Sequence, residues 1–178
     1  MKHSQCRTCR VAAISKKKGG KTFIMFVGLS SKPGTAALCP TTNSGKLVGE
    51  IEKRVIEIFS VYKTNLVKCA PLDESGKLRY PTLVEMKACL PHLLTEIDHF
   101  QPRVIVPLGG QVSKFMISTL MSDQHFDGFA NDFRYQMFSF NSSIMLPVHH
   151  PSYIWIYRRK KISQYIAAVG DQLIEAIS

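Results

Sequence analysis

The residues of this chain best suited to chemistry are its cysteines. Cys6 and Cys9 form a C-x2-C pair, and Cys69 and Cys89 follow after 59 and then 19 intervening residues. Four thiolates suit either a [4Fe–4S] cluster or a structural zinc ion, and the spacing does not separate the two. The N-terminal residues lack the apolar stretch of a secretory signal, so we expect metal ligation or redox use instead of a disulfide scaffold. The fifth cysteine, Cys39, is expected to be a free thiol.

Polar side chains also collect where four apolar segments end. The segments concerned are 28–31, 65–69, 108–110 and 149–152. In open sheets of mainly parallel strands, ligands bind in the crevice at the carboxyl ends of the strands. We therefore expect these four segments to converge on one site.

Apolar patterning predicts the elements that carry these segments. Short apolar runs predict strands at 22–30, 62–69, 103–110, 134–140 and 142–150, the last two forming a hairpin around Asn141. Helical periodicity predicts helices at 46–60, from about 82 to about 99, at 111–121 and at 159–177. Thr82 and Glu85 form a capping box, and Pro91 is expected to kink or restart the second helix.

Strands that alternate with helices predict an α/β fold. We expect a single three-layer α/β/α domain over 1–178, with a central, mainly parallel sheet of four to five strands. Residues 1–21 are expected to form an N-terminal arm that carries Cys6 and Cys9.

The chain is strongly basic, with 23 Lys and Arg against 13 Asp and Glu and a net charge of +10. Basic surface gains affinity for nucleic acid by releasing phosphate counterions, so a polyanionic partner is expected. No apolar run approaches the length of a membrane span, and the expected location is the cytoplasm.

Several short motifs resemble the uracil-DNA glycosylase superfamily, nearest to its iron–sulfur branches, families 4 and 5. The motifs are FVGLSSKPG (26–34), GKL (45–47), TNLVKCAP (64–71), PRVIVPLGG (102–110) and VHHPSY (148–153). Their order and rough spacing agree over nearly the whole chain. The resemblance implies that Cys6, Cys9, Cys69 and Cys89 hold a structural [4Fe–4S] cluster that fastens the arm to the core, with structural zinc as the alternative.

The resemblance also assigns roles to individual residues. His150 matches the histidine that hydrogen-bonds O2 of the departing pyrimidine, and Asn65 matches the asparagine that reads the pyrimidine edge. Ser152 is expected to contact a neighbouring phosphate. His149 is the weaker candidate, because it points the other way in an extended segment.

Three positions depart from the family pattern. Leu29 stands where family 4 has a glutamate, and Ser30 where other branches place an Asp or Asn, so Ser30, Asn43 or a backbone carbonyl is left to position the water. Pro40 stands where an aromatic would stack on the flipped base, which makes a modified pyrimidine a second candidate substrate. The predicted catalytic residues are His150, Asn65 and Ser30. The predicted substrate-binding residues are Gly28, Leu29, Ser31, Pro40, Asn43 and Ser152.

A segment after the last motif, IWIYRRKK (154–161), is expected to contact DNA as a loop. Its aromatic residues would fill the gap left by the flipped base, and its cations would hold phosphates. The predicted DNA-binding residues are Trp155, Tyr157, Arg158, Arg159 and Lys160.

The resulting prediction is a monofunctional DNA glycosylase that removes uracil or a related modified or deaminated base and leaves an abasic site. DNA is the expected partner, with the protein acting as a nucleoid-associated monomer. The alternative is a non-catalytic or modified-base-specific nucleic-acid-binding protein of the same fold, which could act against modified foreign DNA.

Overall fold

The computed structural model describes residues 23–57 and 59–177. The N-terminal arm, with Cys6 and Cys9, therefore lies outside the described residues.

A mainly parallel sheet forms the centre of the described part of the chain. Its strands are β1 (Phe23–Ser30), β2 (Ser60–Val67), β3 (Val104–Pro107), β4 (Phe138–Phe140) and β5 (Ser143–Met145). These five strands lie in the order β2-β1-β3-β5-β4, and only the β4–β5 pair among them is antiparallel. Asn141 turns the β4–β5 hairpin with a φ of 52°. The predicted sheet and hairpin are confirmed.

Helices cover both faces of this sheet. They are α1 (Asn43–Val55), α2 (Leu83–Phe100), α3 (Gly110–Leu120), α4 (Pro151–Tyr157) and α5 (Ile162–Glu175). In β1, Ile24 and Phe26 join a core with α1, α4 and α5, whereas Met25 and Val27 join a core with α2 and α3. This alternation follows from the two-residue period of a strand. The three-layer arrangement that the sequence predicts is confirmed.

The start of α2 follows its sequence closely. The Thr82 side chain accepts a hydrogen bond from the Glu85 amide, and the Glu85 carboxylate accepts one from the Thr82 amide. The predicted capping box is therefore confirmed. Pro91 lies inside α2, which runs on as a single helix to Phe100, so the expected restart at this proline is wrong.

The structure corrects the last part of the chain. Residues 154–157, part of the segment 154–161 that was expected to be a loop, belong to α4, because Pro151 suits the first helical turn and the His150 side chain caps it. Ile154 is fully buried and fixes this helix on the core. Residues Arg159–Lys161 form a 3₁₀ turn, and α5 begins only at Ile162. No helix in the described ranges is long and apolar enough to cross a membrane.

Candidate active site

A cavity of about 420 Å³ opens at the carboxyl ends of β1 and β2, within the range usual for small-molecule sites. Three of the four segments expected to converge, 28–31, 65–69 and 149–152, supply lining residues. The fourth, 108–110, packs against His150 through Gly109. The expected convergence is therefore found. The lining residues are Gly28, Leu29, Ser30, Ser31, Lys32, Thr35, Ala36, Leu38, Cys39, Thr42, Ser44, Asn65, Leu78, Arg79, Tyr80, His150 and Ser152.

Asn65 is held in a fixed orientation on the floor of this cavity. Its side chain is buried, and its Nδ2 donates to Ser31 Oγ at 3.1 Å. The Ser31 hydroxyl in turn donates to the Lys68 carbonyl at 3.1 Å. The Asn65 carboxamide keeps its oxygen and a second N–H, one acceptor and one donor, for the edge of a ligand.

Gly28 makes room for that side chain. β1 and β2 pair Gly28 with Asn65, and a Cβ atom at Gly28 would lie 2.3 Å from Asn65 Oδ1. Any larger residue would push the carboxamide out of its place.

His150 lines the cavity and also caps a helix. Its Nδ1 accepts a hydrogen bond from the Ser152 amide at 3.1 Å, which caps α4. Nδ1 therefore carries no proton, and the neutral ring carries its proton on Nε2. Burial, and secondarily the charge of Lys32, lower the pKa of His150 below its usual 6.5. At neutral pH the side chain is thus a neutral Nε2–H donor.

Two further contacts fix the position of His150. Gly109 has a φ of 94°, and a Cβ atom there would lie 2.9 Å from His150 Cβ, so this position requires glycine. Ser152 Oγ and Ser44 Oγ are 2.6 Å apart, which joins the first turns of α4 and α1 beside the ring.

The neighbouring His149 has a different environment. It is 7% exposed, and its Nδ1 is 2.9 Å from the Tyr135 hydroxyl. Tyr153 stacks on its ring, with 5.6 Å between centroids and 12° between planes. Burial, and secondarily Arg158, lower the pKa of His149 to about 4. Its ring belongs to this aromatic cluster and not to the cavity lining.

Two predicted substrate-binding residues lie beside the cavity instead of lining it. Pro40 and Asn43 are exposed, whereas their neighbours Cys39 and Thr42 reach the lining. Cys39 is a free thiol, as expected, and hydrogen bonds with Thr41 lower its pKa.

Comparison with known proteins gives the family. The model of the uracil DNA glycosylase superfamily matches residues 17–173. This chain belongs to that superfamily. It is 28% identical over 172 residues to the type-4 uracil-DNA glycosylase of Sulfurisphaera tokodaii, an alignment that covers 88% of this chain and 66% of that protein. It is 24% identical over 164 residues to the type-4 uracil-DNA glycosylase of Saccharolobus solfataricus, covering 83% of this chain and 71% of the relative. The chain thus spans about two thirds of the length of these relatives.

One wall of the cavity is not predicted by the sequence motifs of this superfamily member. Leu78, Arg79 and Tyr80 reach the lining from the loop between β2 and α2. This loop folds back because Leu72 and Leu78 form an antiparallel bridge around a turn at Gly76. The Asp-Glu-Ser-Gly turn at 73–76 is the feature that could have indicated it.

The predicted DNA-binding residues follow the cavity along α4 and the 3₁₀ turn. Tyr157 is 73% exposed, and Arg159 and Lys160 are exposed. Arg158 donates to the Asn131 side chain, and the Arg159 guanidinium lies 5.5 Å from the Trp155 ring centroid. Trp155 itself packs partly buried against the core, which leaves Ile156 and Tyr157 as the exposed apolar side chains of this segment.

Two of the four predicted thiolates lie on one side of the sheet. Cys89 is buried in the core between the sheet and helices α2 and α3, and Cys69 packs against the same core. In the described ranges no three potential ligands from His, Cys, Asp and Glu come together. Cys6 and Cys9, the other two cysteines of the predicted set, lie outside those ranges.

Proposed function

We propose that this chain is a monofunctional DNA glycosylase that flips uracil, or a related modified or deaminated base, out of DNA and hydrolyses its N-glycosidic bond. The observation that carries the proposal is the presence, in one cavity, of a neutral Nε2–H histidine and an oriented carboxamide. The type-4 uracil-DNA glycosylases to which the chain is similar favour the same reaction.

Base recognition falls to Asn65. Uracil presents N3–H as a donor and O4 as an acceptor, and the Asn65 oxygen and its remaining N–H complement this pair. Because Ser31 already holds the other N–H, the carboxamide cannot rotate without losing a hydrogen bond. Cytosine presents the opposite pattern and is disfavoured.

Bond cleavage falls to His150. As the C1′–N1 bond breaks, its electron pair moves to the base and negative charge develops on O2, where a preorganised donor is most effective. His150 donates its Nε2–H there. Water oxygen then bonds to C1′ of the sugar cation, and the water proton is released, leaving an abasic site and an uncut strand.

Water placement falls to Ser30, which lines the cavity beside Leu29. A largely dissociative reaction forms a strongly electrophilic sugar cation, so the water needs placement more than it needs a strong base. Ser30 can accept a hydrogen bond from such a water, and Leu29 cannot.

DNA binding follows from the charge and from the exposed side chains near the cavity. Ser152 at the first turn of α4 suits one phosphate, and Arg159 and Lys160 suit the backbone beyond it. Ile156 and Tyr157, which are exposed, would fill the gap left by the flipped base. The protein acts on DNA as a monomer, in association with the nucleoid.

The cofactor we propose is a [4Fe–4S] cluster held by Cys6, Cys9, Cys69 and Cys89. The shared placement of Cys69 and Cys89 against one core fits such a group, since four cysteine thiolates are the usual ligands of a [4Fe–4S] cluster. When bound, the cluster supplies a structural cross-link. We expect iron and acid-labile sulfide in the purified protein, a loss of both in Cys89→Ser, and no loss in Cys39→Ser. Stoichiometric zinc without sulfide would contradict the cluster.

The test of the activity is a base-release assay on oligonucleotides that contain one uracil, with the freed base identified by mass spectrometry. We expect free uracil, an intact strand until alkali is added, and a rate at least about 10²-fold lower in His150→Ala. Release from hypoxanthine-, xanthine- or modified-cytosine-containing DNA defines the breadth of the pocket. DNA binding without release of any base would instead favour the non-catalytic alternative.

A further inference from the structure

The cavity holds edge-reading groups but almost no aromatic surface. Asn65 and His150 address the edge and O2 of a base, whereas enzymes that flip a base also hold its faces between aromatic or apolar side chains. Pro40, at the position of the family's stacking aromatic, is exposed and outside the lining. Among the lining residues that the structure describes, Tyr80 carries the only phenyl-type ring.

Tyr80 is unusually exposed for a residue of its size. Its side chain is 74% exposed although it borders a concave site. Leu78, which is 48% exposed, lines the same wall, and exposed apolar surface beside a pocket commonly marks a surface that a ligand covers.

The backbone on both sides of Tyr80 is nevertheless held in place. The Arg79 guanidinium donates to the Tyr80 carbonyl at 3.0 Å and to the Leu72 carbonyl at 3.0 Å. The same guanidinium forms a two-bond ion pair with Glu85, at 2.7 and 2.8 Å. Hydrogen bonds from Arg79, followed by those from Thr82, lower the pKa of Glu85 to about 2, so the pair persists through the neutral range.

The main chain is also held on the C-terminal side of Tyr80. The Thr82 amide donates to the Glu85 carboxylate at 2.7 Å as part of the capping box of α2. The residue is therefore presented from a fixed main chain, and its ring has only two side-chain torsions to order. Rigid presentation of this kind lowers the entropic cost of stacking on a ligand.

We propose that Tyr80 stacks on the face of the flipped base and supplies the aromatic surface that Pro40 does not. This inference rests on the proposed glycosylase activity and names a recognition residue for it. Stacking uses the ring and not the hydroxyl. It also tolerates different bases, because every base has a π face, so the wall formed by Tyr80 accepts modified pyrimidines that Asn65 can still read.

The test is single-turnover release of uracil from single-stranded and from double-stranded oligonucleotides. Tyr80→Phe keeps the ring and is expected to retain the wild-type rate within about twofold. Tyr80→Ala is expected to lose roughly tenfold to hundredfold on both substrates, the usual effect of removing one base stack. Leu83→Ala is the matched control, since Leu83 is an exposed apolar residue three positions on that does not line the cavity.

Inhibition by free uracil provides a second measurement, independent of DNA binding. The stack predicts that Tyr80→Ala raises the inhibition constant of uracil and that Tyr80→Phe does not. Thermal unfolding of each variant checks that the fold is retained.

Three results would overturn the inference while leaving the proposed activity intact. Equal rates for wild type and Tyr80→Ala would show that the ring is not used. A loss confined to duplex DNA would assign Tyr80 to filling the helix instead of holding the base. A loss in Tyr80→Phe equal to that in Tyr80→Ala would assign the effect to the hydroxyl. Failure of the proposed function looks different, because wild-type protein would then release no base.

Discussion

The two walls of the cavity are built in different ways. The strand-end wall, formed by Gly28, Asn65 and His150 with Gly109 packed against His150, is so close that an added Cβ at either glycine would collide with the Asn65 or His150 side chain. The loop wall, formed by Leu78, Arg79 and Tyr80, is exposed and is held by a surface ion pair. Rigid elements hold Asn65 and His150 in place, whereas a loop, the kind of element that commonly varies, forms the other wall.

The adjacent histidines repeat this contrast within two residues. His149 turns into an aromatic cluster, and Tyr165 donates a hydrogen bond to its carbonyl at 2.9 Å. His150 turns into the cavity and caps α4. Burial lowers the pKa of both side chains, yet only His150 borders a space that a base can enter. Position in the fold, more than residue type, separates the histidine of the aromatic cluster from the one that lines the cavity.

The largest expected effect comes from the strand-end wall. Gly28→Ala places a methyl group 2.3 Å from Asn65 Oδ1 and must displace the carboxamide. Because misplacing a positioning group by about 1 Å can cost about 10²-fold, we expect single-turnover uracil release to fall by at least that factor. The rate is measured alongside chemical denaturation, which reports any loss of stability.

Gly49→Ala is the matched control for this substitution. Gly49 lies in α1, and nothing lies within 4 Å of a Cβ atom placed there. The substitution should leave the rate unchanged and stabilise the fold by about 0.5–1 kcal/mol, since alanine favours helix. Wild-type activity in Gly28→Ala would show that Asn65 does not need its observed position.

The loop wall should respond more weakly. The losses in the rate of uracil release expected for Tyr80→Ala are smaller than those for Gly28→Ala. Stacking on Tyr80 contributes binding energy, whereas the position of Asn65 governs the alignment of the base. A lower rate of uracil release in Tyr80→Ala than in Gly28→Ala would contradict this division. It would mean that the loop wall, and not the strand-end wall, carries the groups on which the reaction most depends.

Much of this arrangement follows from local sequence features. Apolar runs predict the parallel strands, and the carboxyl ends of parallel strands meet at one edge, which is why Gly28, Asn65 and His150 could be expected together. The capping box of Thr82 and Glu85 is equally local. Family membership, expected from the motifs, is confirmed by the match over residues 17–173.

The rest depends on contacts that sequence spacing does not encode. The α4 helix forms where a loop was expected, because His150 caps it and Ile154 is buried against a distant core. Tyr80 reaches the cavity only because a hairpin of the β2–α2 loop folds back over it. Motif alignment predicts Pro40 and Asn43 as substrate-binding residues, and it does not show that their neighbours Cys39 and Thr42 are the residues that reach the lining.

The central claim is that His150 is a neutral Nε2–H donor, and ¹⁵N NMR of the histidine side chains tests it directly. Because its folded pKa is lowered below 6.5, the ring should remain neutral as pH falls through 6.5 and become charged only under more acidic conditions. At pH 7 we expect an unprotonated Nδ1 that accepts from Ser152 and a protonated Nε2. A His150 ring that is protonated on Nδ1, or that titrates at or above 6.5, would contradict the account.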